Sequence, residues 1–190
     1  LNDFFSKDEL ILYNNIEKVK RAFKTGKGVN YIDYITFATT GDSQDFGTLT
    51  IKRRGMGACS SPTRTVFGGG YIKPQSHTDV VDYVITQTKG DATHFGELTV
   101  SRGHMGAVSS TTRGIWYGGG IYGPDAPAYT IYNTIDYITI ATLGDALDFG
   151  NLTESTRGTC AVSSTLRIVR TGGYVEQETM DYVQIATTGN

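Results

Sequence analysis

Apolar and polar positions alternate in short runs along most of this 190-residue chain, and the alternation predicts β-strands. In the run of residues 34–39, Ile35 and Phe37 fall on one face of such a strand and the intervening side chains fall on the other. This run suits a strand that is covered on both sides. A second run carries Phe46 and Leu49 and predicts the next strand.

Two further runs complete a unit of four predicted strands. Residues 57–61 are nearly all small, which suits a crowded centre where strands converge. Pro62 then turns the chain into a fourth run, residues 64–67, which ends in glycines. Four short strands per unit are typical of a β-propeller blade.

This unit recurs along the chain with fixed internal spacing. Asp33-Tyr34 returns three times, after 49, 54 and 45 residues. In the first three units a phenylalanine follows the tyrosine after 12 residues, and an arginine follows that phenylalanine after 18. The period varies only between the glycines and the next Asp-Tyr, so that segment is expected to be a loop. Recurrence predicts a structural role for Tyr34, Tyr83, Tyr137, Tyr182, Phe46, Phe95, Phe149, Arg64, Arg113, Arg167, Gly69, Gly118 and Gly172.

The first 29 residues carry a different pattern, which predicts an α-helix. Ser6 and Glu9 match a capping box. An apolar stripe at helical spacing follows, made of Leu12, Ile16, Val19 and Phe23. We expect this helix to pack on the first repeat or to act as a docking or oligomerising helix. The chain therefore divides into a helical extension, residues 1–29, and a repeat region, residues 30–190.

Composition and charge narrow the class of protein further. The 24 glycines, 12 tyrosines and 8 phenylalanines favour strands and tight turns over a helical array. The net charge of −2 gives no electrostatic reason to expect nucleic acid or an anionic membrane as a partner. No apolar run approaches the roughly 20 residues that cross a bilayer. Cys59 and Cys160 occupy unrelated repeat positions, and each is expected to be a small buried hydrophobe.

The repeat resembles the kelch repeat. The resemblance runs from Arg64 through the glycines 68–70 and a variable loop to Asp82-Tyr83 and Phe95. Phenylalanine stands where kelch repeats usually have Trp, and Arg53 resembles the arginine that follows, as does its equivalent at position 102. Position 156 departs from that pattern with Thr. The amino-acid sequence of residues 136–153, together with the CSSPTR and FGGGY segments, resembles kelch-like repeats in virion structural proteins of tailed bacteriophages, especially marine ones.

The resemblance covers residues 32–190 and implies an all-β fold of kelch-like β-propeller blades, to which the sequence adds an N-terminal α-helix. Counting from the small-residue strand, the chain supplies a trailing strand pair (33–50), two full blades (57–99 and 106–153) and three strands of another. Rings need roughly four to eight blades. We expect an incomplete ring that sequence outside this chain or another subunit completes. Asn190 falls in the middle of a unit, so the chain is expected to be processed or partial.

Candidate chemistry is sparse. The three histidines, His77, His94 and His104, fall at unrelated repeat positions, and no pair of cysteines has metal-ligand spacing. We therefore expect no metal, no cofactor and no catalytic residues. The glycine triplets open no helix and carry no Lys-Ser or Lys-Thr, which argues against a phosphate cradle.

Binding is instead expected in the two variable loops, which leave successive units at the same end. Loops of variable length on a repeated scaffold commonly carry binding residues, and tyrosines supply contact area at low entropy cost. A solvated loop, or one that contacts a neighbouring subunit, is the alternative. The candidate binding residues are Lys73, Gln75, His77, Tyr122, Tyr129 and Tyr132.

The resulting expectation is a non-enzymatic structural or adhesion protein of a phage particle, in the tail, a fibre or the capsid decoration. Its expected partners are other virion proteins, copies of itself, or a host surface protein or glycan. The expected location is the virion, with an extracellular or cytoplasmic location as runner-up. The alternative is an interaction module of a cellular kelch-repeat protein. An enzyme would need catalytic residues from parts of a protein not present in this sequence.

Overall fold

The computed structural model describes residues 9–13, 21–26, 29–72, 76–121, 129–174 and 178–187. Its strands form four main antiparallel sheets in sequence order. The first sheet contains β1 (Glu9–Tyr13), β2 (Arg21–Gly26), β3 (Val29–Thr36) and β4 (Gln44–Arg53). The second sheet contains β5 (Gly57–Ser60), β6 (Arg64–Ile72), β7 (Ser76–Ile85) and β8 (Thr93–Glu97).

The third and fourth sheets repeat the same order. The third contains β9 (Gly106–Ser109), β10 (Arg113–Tyr117), β13 (Thr134–Thr139) and β14 (Leu147–Asn151). Between β10 and β13 lies a two-stranded ribbon of β11 (Gly120–Ile121) and β12 (Thr130–Ile131). The fourth contains β15 (Cys160–Ser163), β16 (Arg167–Thr171) and β17 (Met180–Gln184). The prediction of an all-β chain is confirmed, as are the two four-stranded units and the final three strands.

The predicted N-terminal helix is wrong. Leu12 and Phe23, two residues of the apolar stripe, lie in β1 and β2 and face each other as a cross-strand pair. Phe23 is buried, and its ring meets Phe46 edge-to-face at 5.0 Å. Pairing with the edge of β3 and burial of Phe23 outweigh the local helical spacing, because tertiary contacts override propensity. Ser6, Ile16 and Val19 lie outside the described residues.

The register shows what the N-terminal segment is. Arg21 pairs with Thr36, two residues beyond Tyr34, and Arg64 pairs in the same way two residues beyond Tyr83. The segment is therefore the first half of a repeat unit, and β1 and β2 extend the expected strand pair at 33–50 to a full four-stranded sheet. The predicted division between residues 29 and 30 stays a prediction, although hydrogen bonds join β2 to β3 across it.

The core lies between consecutive sheets. One buried apolar cluster joins the first sheet to the second, another the second to the third, and another the third to the fourth. The leading strands β1, β5, β9 and β15 contact one another in series. At Gly57 on β5 an added Cβ would lie 2.9 Å from the Cβ of Ala107 on β9, so only glycine fits there. The four sheets do not form a closed ring in the described part of the chain. That part also contains no helix long and apolar enough to cross a membrane.

Candidate functional site

A buried ion pair joins the first sheet to the second. Asp82 on β7 accepts hydrogen bonds from Thr50 Oγ1 at 2.7 Å and from Arg53 Nη2 at 2.9 Å, both on β4. Arg53 also donates to the carbonyl oxygens of Val80 and Phe67, at 2.6 and 3.2 Å. The side chains of the ion pair are fully buried. We call this arrangement, an Asp of one sheet held by a Thr and an Arg, the inter-sheet lock.

The lock recurs between the second and third sheets. Asp136 on β13 accepts from Thr99 Oγ1 at 2.5 Å and from Arg102 Nη2 at 3.0 Å. Burial raises the pKa of the Asp136 carboxyl above its ordinary value, while Arg102 and Thr99 oppose that shift. Burial likewise lowers the pKa of the Arg102 guanidinium against the opposing effect of Asp136. A buried charge that loses its partner destabilises the fold strongly. Because the two partners come from different sheets, the pair holds those sheets in one relative position.

Between the third and fourth sheets the lock has a different arginine. Asp181 on β17 accepts from Thr153 as expected, but the position equivalent to Arg102 is Thr156. Arg170 on β16 replaces it and pairs with Asp181 from within the same sheet. In the register of the strands, Arg170 occupies the place that Phe67 and Trp116 hold in the second and third sheets.

The first sheet carries an aspartate at the acceptor position of the lock, with no Thr or Arg donor among the described residues. Asp33 on β3 has the register position of the three lock aspartates. It is half-buried, and no hydrogen bond or ion pair with the described residues reaches its carboxylate. Lys24 on β2 pairs in register with Asp33, at the place that Arg170 holds beside Asp181. A Thr equivalent to Thr50 would have to come from a sheet placed before the first one.

The recurring arginines also bridge neighbouring sheets. Arg64 stacks on the Tyr83 ring at 4.8 Å and donates to the carbonyl oxygens of Ile140 and Ala141 in the next sheet, both at 2.9 Å. The guanidinium of Arg113 lies 4.9 Å from its tyrosine ring, and that of Arg167 lies 5.4 Å from its own. In three sheets the tyrosine ring in turn meets the phenylalanine of the next strand edge-to-face, at 5.7 to 5.9 Å. These contacts agree with a structural role.

A turn of the second sheet docks on the first sheet, and the equivalent turn of the third sheet docks on the second. The amide of Gly90 donates to the carbonyl of Phe46 at 2.9 Å, and Asp91 accepts from the amide of Thr48 at 2.8 Å. An added Cβ at Gly47 would lie 2.3 Å from the carbonyl oxygen of Gly90. At Gly96 the corresponding Cβ would lie 2.4 Å from the carbonyl oxygen of Gly144. The glycines that follow Phe46 and Phe95 are therefore required by close approach of two backbones.

Of the six candidate binding residues, three lie outside the described residues. Those three are Lys73, Gln75 and Tyr122. His77 is the second residue of β7, is partly buried, and its ring meets Tyr71 edge-to-face at 5.3 Å. Tyr129 is 57% exposed and lies 5.1 Å from the Arg157 guanidinium. Tyr132 is half-buried, and its amide donates to the carbonyl of Gly119 at 2.9 Å.

Sequence reasoning did not single out His104 as a binding residue. It adopts a left-handed φ of 53°, whereas the equivalent residues with such a φ, Gly55 and Gly158, are glycines. Its amide donates to the carbonyl of Gly55 at 2.7 Å, and its own carbonyl accepts from Gly158 at 2.8 Å. The signal was available in the sequence, because the repeat spacing places a histidine where the unit otherwise has glycine.

The cysteines differ in setting. Cys59 on β5 is fully buried, and burial raises the pKa of its thiol. Cys160 on β15 is exposed, so the expectation that it is buried is wrong. The reason is that the outer face of the fourth sheet has no neighbouring sheet among the described residues. Those residues also contain no group of three or more His, Cys, Asp or Glu side chains that could hold a metal ion.

The fold and its inter-sheet contacts define a class: an all-β protein of small antiparallel sheets stacked in sequence order. No family model and no curated protein sequence matches the chain. Its fold is similar to that of the solved structure of YjhT, with a TM-score of 0.71 and 12% sequence identity. The match covers 95% of this chain and 65% of the YjhT chain, so this chain spans less than two thirds of that protein's length. At this identity the similarity concerns the fold alone.

Proposed function

We propose that the chain is a section of a kelch-like β-propeller in which the four sheets are consecutive blades and further sheets complete the ring. The observation that carries this proposal is Asp33. Three aspartates at its register position each receive a Thr and an Arg, and two of these arginines come from the preceding sheet. Serial contact of the leading strands supports the same arrangement, because blades converge on a common centre.

The outer face of the fourth sheet supports completion from the other side. Val162 on β15 is 72% exposed, whereas its equivalents Cys59 and Val108 are 0% and 8% exposed. Met180 on β17 is 70% exposed, although its equivalents on the other sheets, among them Ile135 at 1%, are buried. An apolar face at positions that are covered everywhere else favours a partner sheet there.

In this proposal the protein is a non-enzymatic structural or adhesion component of a phage particle. It would act by binding other virion proteins, copies of itself or a host surface. The incomplete set of blades supports a role in assembly, since such a section needs neighbours. The assignment to a virion rests on the resemblance of residues 32–190 to kelch-like phage repeats. Mass spectrometry of purified intact particles tests it: the chain should be present in stoichiometric amount, and its absence would remove the virion assignment.

Light scattering after size-exclusion chromatography tests ring completion. We expect the wild-type chain to associate with itself or with a co-expressed partner. Asp33→Arg should weaken that association, because it places a cation where the lock needs an anion. Asp148→Arg, which changes an exposed carboxylate of the third sheet, is the matched control. The proposal would be overturned if the folded wild-type chain stays monomeric in light scattering and also binds none of the proteins of the particle.

A further inference from the structure

One group of cationic and imidazole side chains lies at the loop end of the first three sheets. The Arg54 guanidinium stacks on the Tyr71 ring at 4.9 Å, and the His77 ring meets the same tyrosine at 5.3 Å. Arg54 forms no ion pair with a carboxylate among the described residues, and its buried Nε has no hydrogen bond there. A guanidinium in this state has donors to offer to a ligand.

His104 joins the group from the third sheet's side. An added Cβ at Gly55 would lie 2.9 Å from the His104 ring, which places that ring directly over the residue after Arg54. Two effects lower the pKa of His77: its own burial is the larger, and the charge of the nearby His104 is the second. Arg54, His77 and His104 therefore face one small region of the surface.

Two departures from the repeat create this region. Positions 54 and 157 are arginines, but the equivalent position between them is Gly103, and an added Cβ there would lie 3.2 Å from the His77 ring. The missing side chain makes room for His77. The second departure is His104 itself, a histidine in the left-handed conformation that glycine adopts in the other units. Strained backbone of this kind is concentrated at functional sites.

We propose that Arg54, His77 and His104 form a binding site for an oxyanion, a carboxylate or phosphate group of a ligand. A guanidinium matches the two oxygens of such a group, and imidazole N–H groups add donors. A metal ion would be the other ligand of paired imidazoles, but the positive charge of Arg54 beside them disfavours a cation. His77 lies in the second sheet, and Arg54 and His104 lie directly beside strands of the first and third sheets, so the site does not require a completed ring.

The chain has three histidines, which makes NMR of the imidazole Cε1–H resonances a direct test. Titration with inorganic phosphate at mildly acidic pH should shift His77 and His104 saturably. His94, which pairs with Glu97 at 3.3 Å on an exposed surface, should not move. A parallel titration with acetate tells carboxylate from phosphate recognition, and saturation by either ligand supports the site.

Variants separate the site from general charge effects. Arg54→Gln should weaken binding about tenfold or more, since it removes charge-assisted hydrogen bonds. His104→Gly installs the residue of the equivalent units, keeps the backbone relaxed and should abolish the saturable shift of His77. Lys89→Gln removes a cation that lies over Tyr34 and should leave affinity unchanged. Proportional shifts of all three histidines, no shift, or saturation by Zn²⁺ but not by the oxyanions would overturn the proposal.

Discussion

Replacing Arg170 with phenylalanine should destabilise the fourth sheet, and adding arginine at position 156 should restore it. Arg170→Phe introduces the type of residue that stands at the equivalent positions, Phe67 and Trp116, but leaves Asp181 without its cation. Thr156→Arg supplies a guanidinium from the position that Arg102 holds one sheet earlier. The double variant therefore rebuilds the form of the lock seen between the second and third sheets.

The magnitudes follow from burial. The Arg170 and Asp181 side chains are 2% and 7% exposed, so the pair is slightly more open than the fully buried Arg102–Asp136 pair. Breaking a buried pair costs about 3–5 kcal/mol, and we expect the lower end, about 3 kcal/mol, for Arg170→Phe. Thr156→Arg alone places two guanidinium groups beside one carboxylate and should also destabilise. The two changes should then be coupled favourably by about 1–3 kcal/mol.

Urea unfolding of the wild type, both single variants and the double variant measures this coupling. The chain has one tryptophan, Trp116, in the core between the second and third sheets, so its fluorescence reports global unfolding. Hydrogen exchange of the β15 and β16 amides reports the fourth sheet itself. Strictly additive losses in the double variant would refute the view that Arg170 substitutes for the missing arginine of the lock.

Three further predictions concern single contacts. Gly96→Ala should cost about 1–3 kcal/mol in urea unfolding, because its Cβ would lie 2.4 Å from the Gly144 carbonyl oxygen; Gly90→Ala has the same φ of 159° and open space, and an equal loss there would contradict the close-approach argument. Arg113→Gln should lower the free energy of unfolding by about 2 kcal/mol, because it removes a hydrogen bond of 2.7 Å to the Ile185 carbonyl and the stacking on Tyr137. Arg113→Lys should recover only part of that free energy. Unchanged hydrogen exchange in β17 would count against the contact between the third and fourth sheets. A thiol reagent should modify the exposed Cys160 and not the buried Cys59 in the native protein; peptide mapping that finds both labelled without denaturant would contradict the burial of Cys59.

Much of the fold could be predicted because each unit carries its own strand signals. The spacing from tyrosine to phenylalanine to arginine predicted where the strands of each unit fall. The N-terminal unit was missed because Leu12, Ile16, Val19 and Phe23 also fit a helical stripe. A weaker signal was present: Arg21 precedes Gly26 by five residues, the same interval as from Arg64 to Gly69. Periodicity alone does not decide between two structures in so short a segment.

The contacts between sheets could be predicted less well. The recurring Asp-Tyr pair marked Asp82 and Asp136 as repeat positions, but it could not show that their donors come from the preceding sheet. The role of Arg170 was hidden, because an arginine in place of an aromatic residue has no local signal of its purpose. The sequence shows that His104 stands at a position that is glycine in other units. Its proximity to His77 could not be predicted, because it depends on contacts between units that repeat after 49 residues.

In the last lock, Thr156 stands where Arg102 stands one unit earlier, and Arg170 supplies the cation instead. This difference limits which units can be duplicated or deleted. Duplicating the second unit would join a Thr and Arg donor set to an Asp acceptor of the same kind, so the new junction would be electrostatically balanced. Deleting the third unit would instead bring Thr99 and Arg102 against Asp181, which already has Arg170. One carboxylate would then face two buried guanidinium groups. The second unit can therefore be copied more readily than the fourth can be moved, because Asp181 already has a cation from its own sheet.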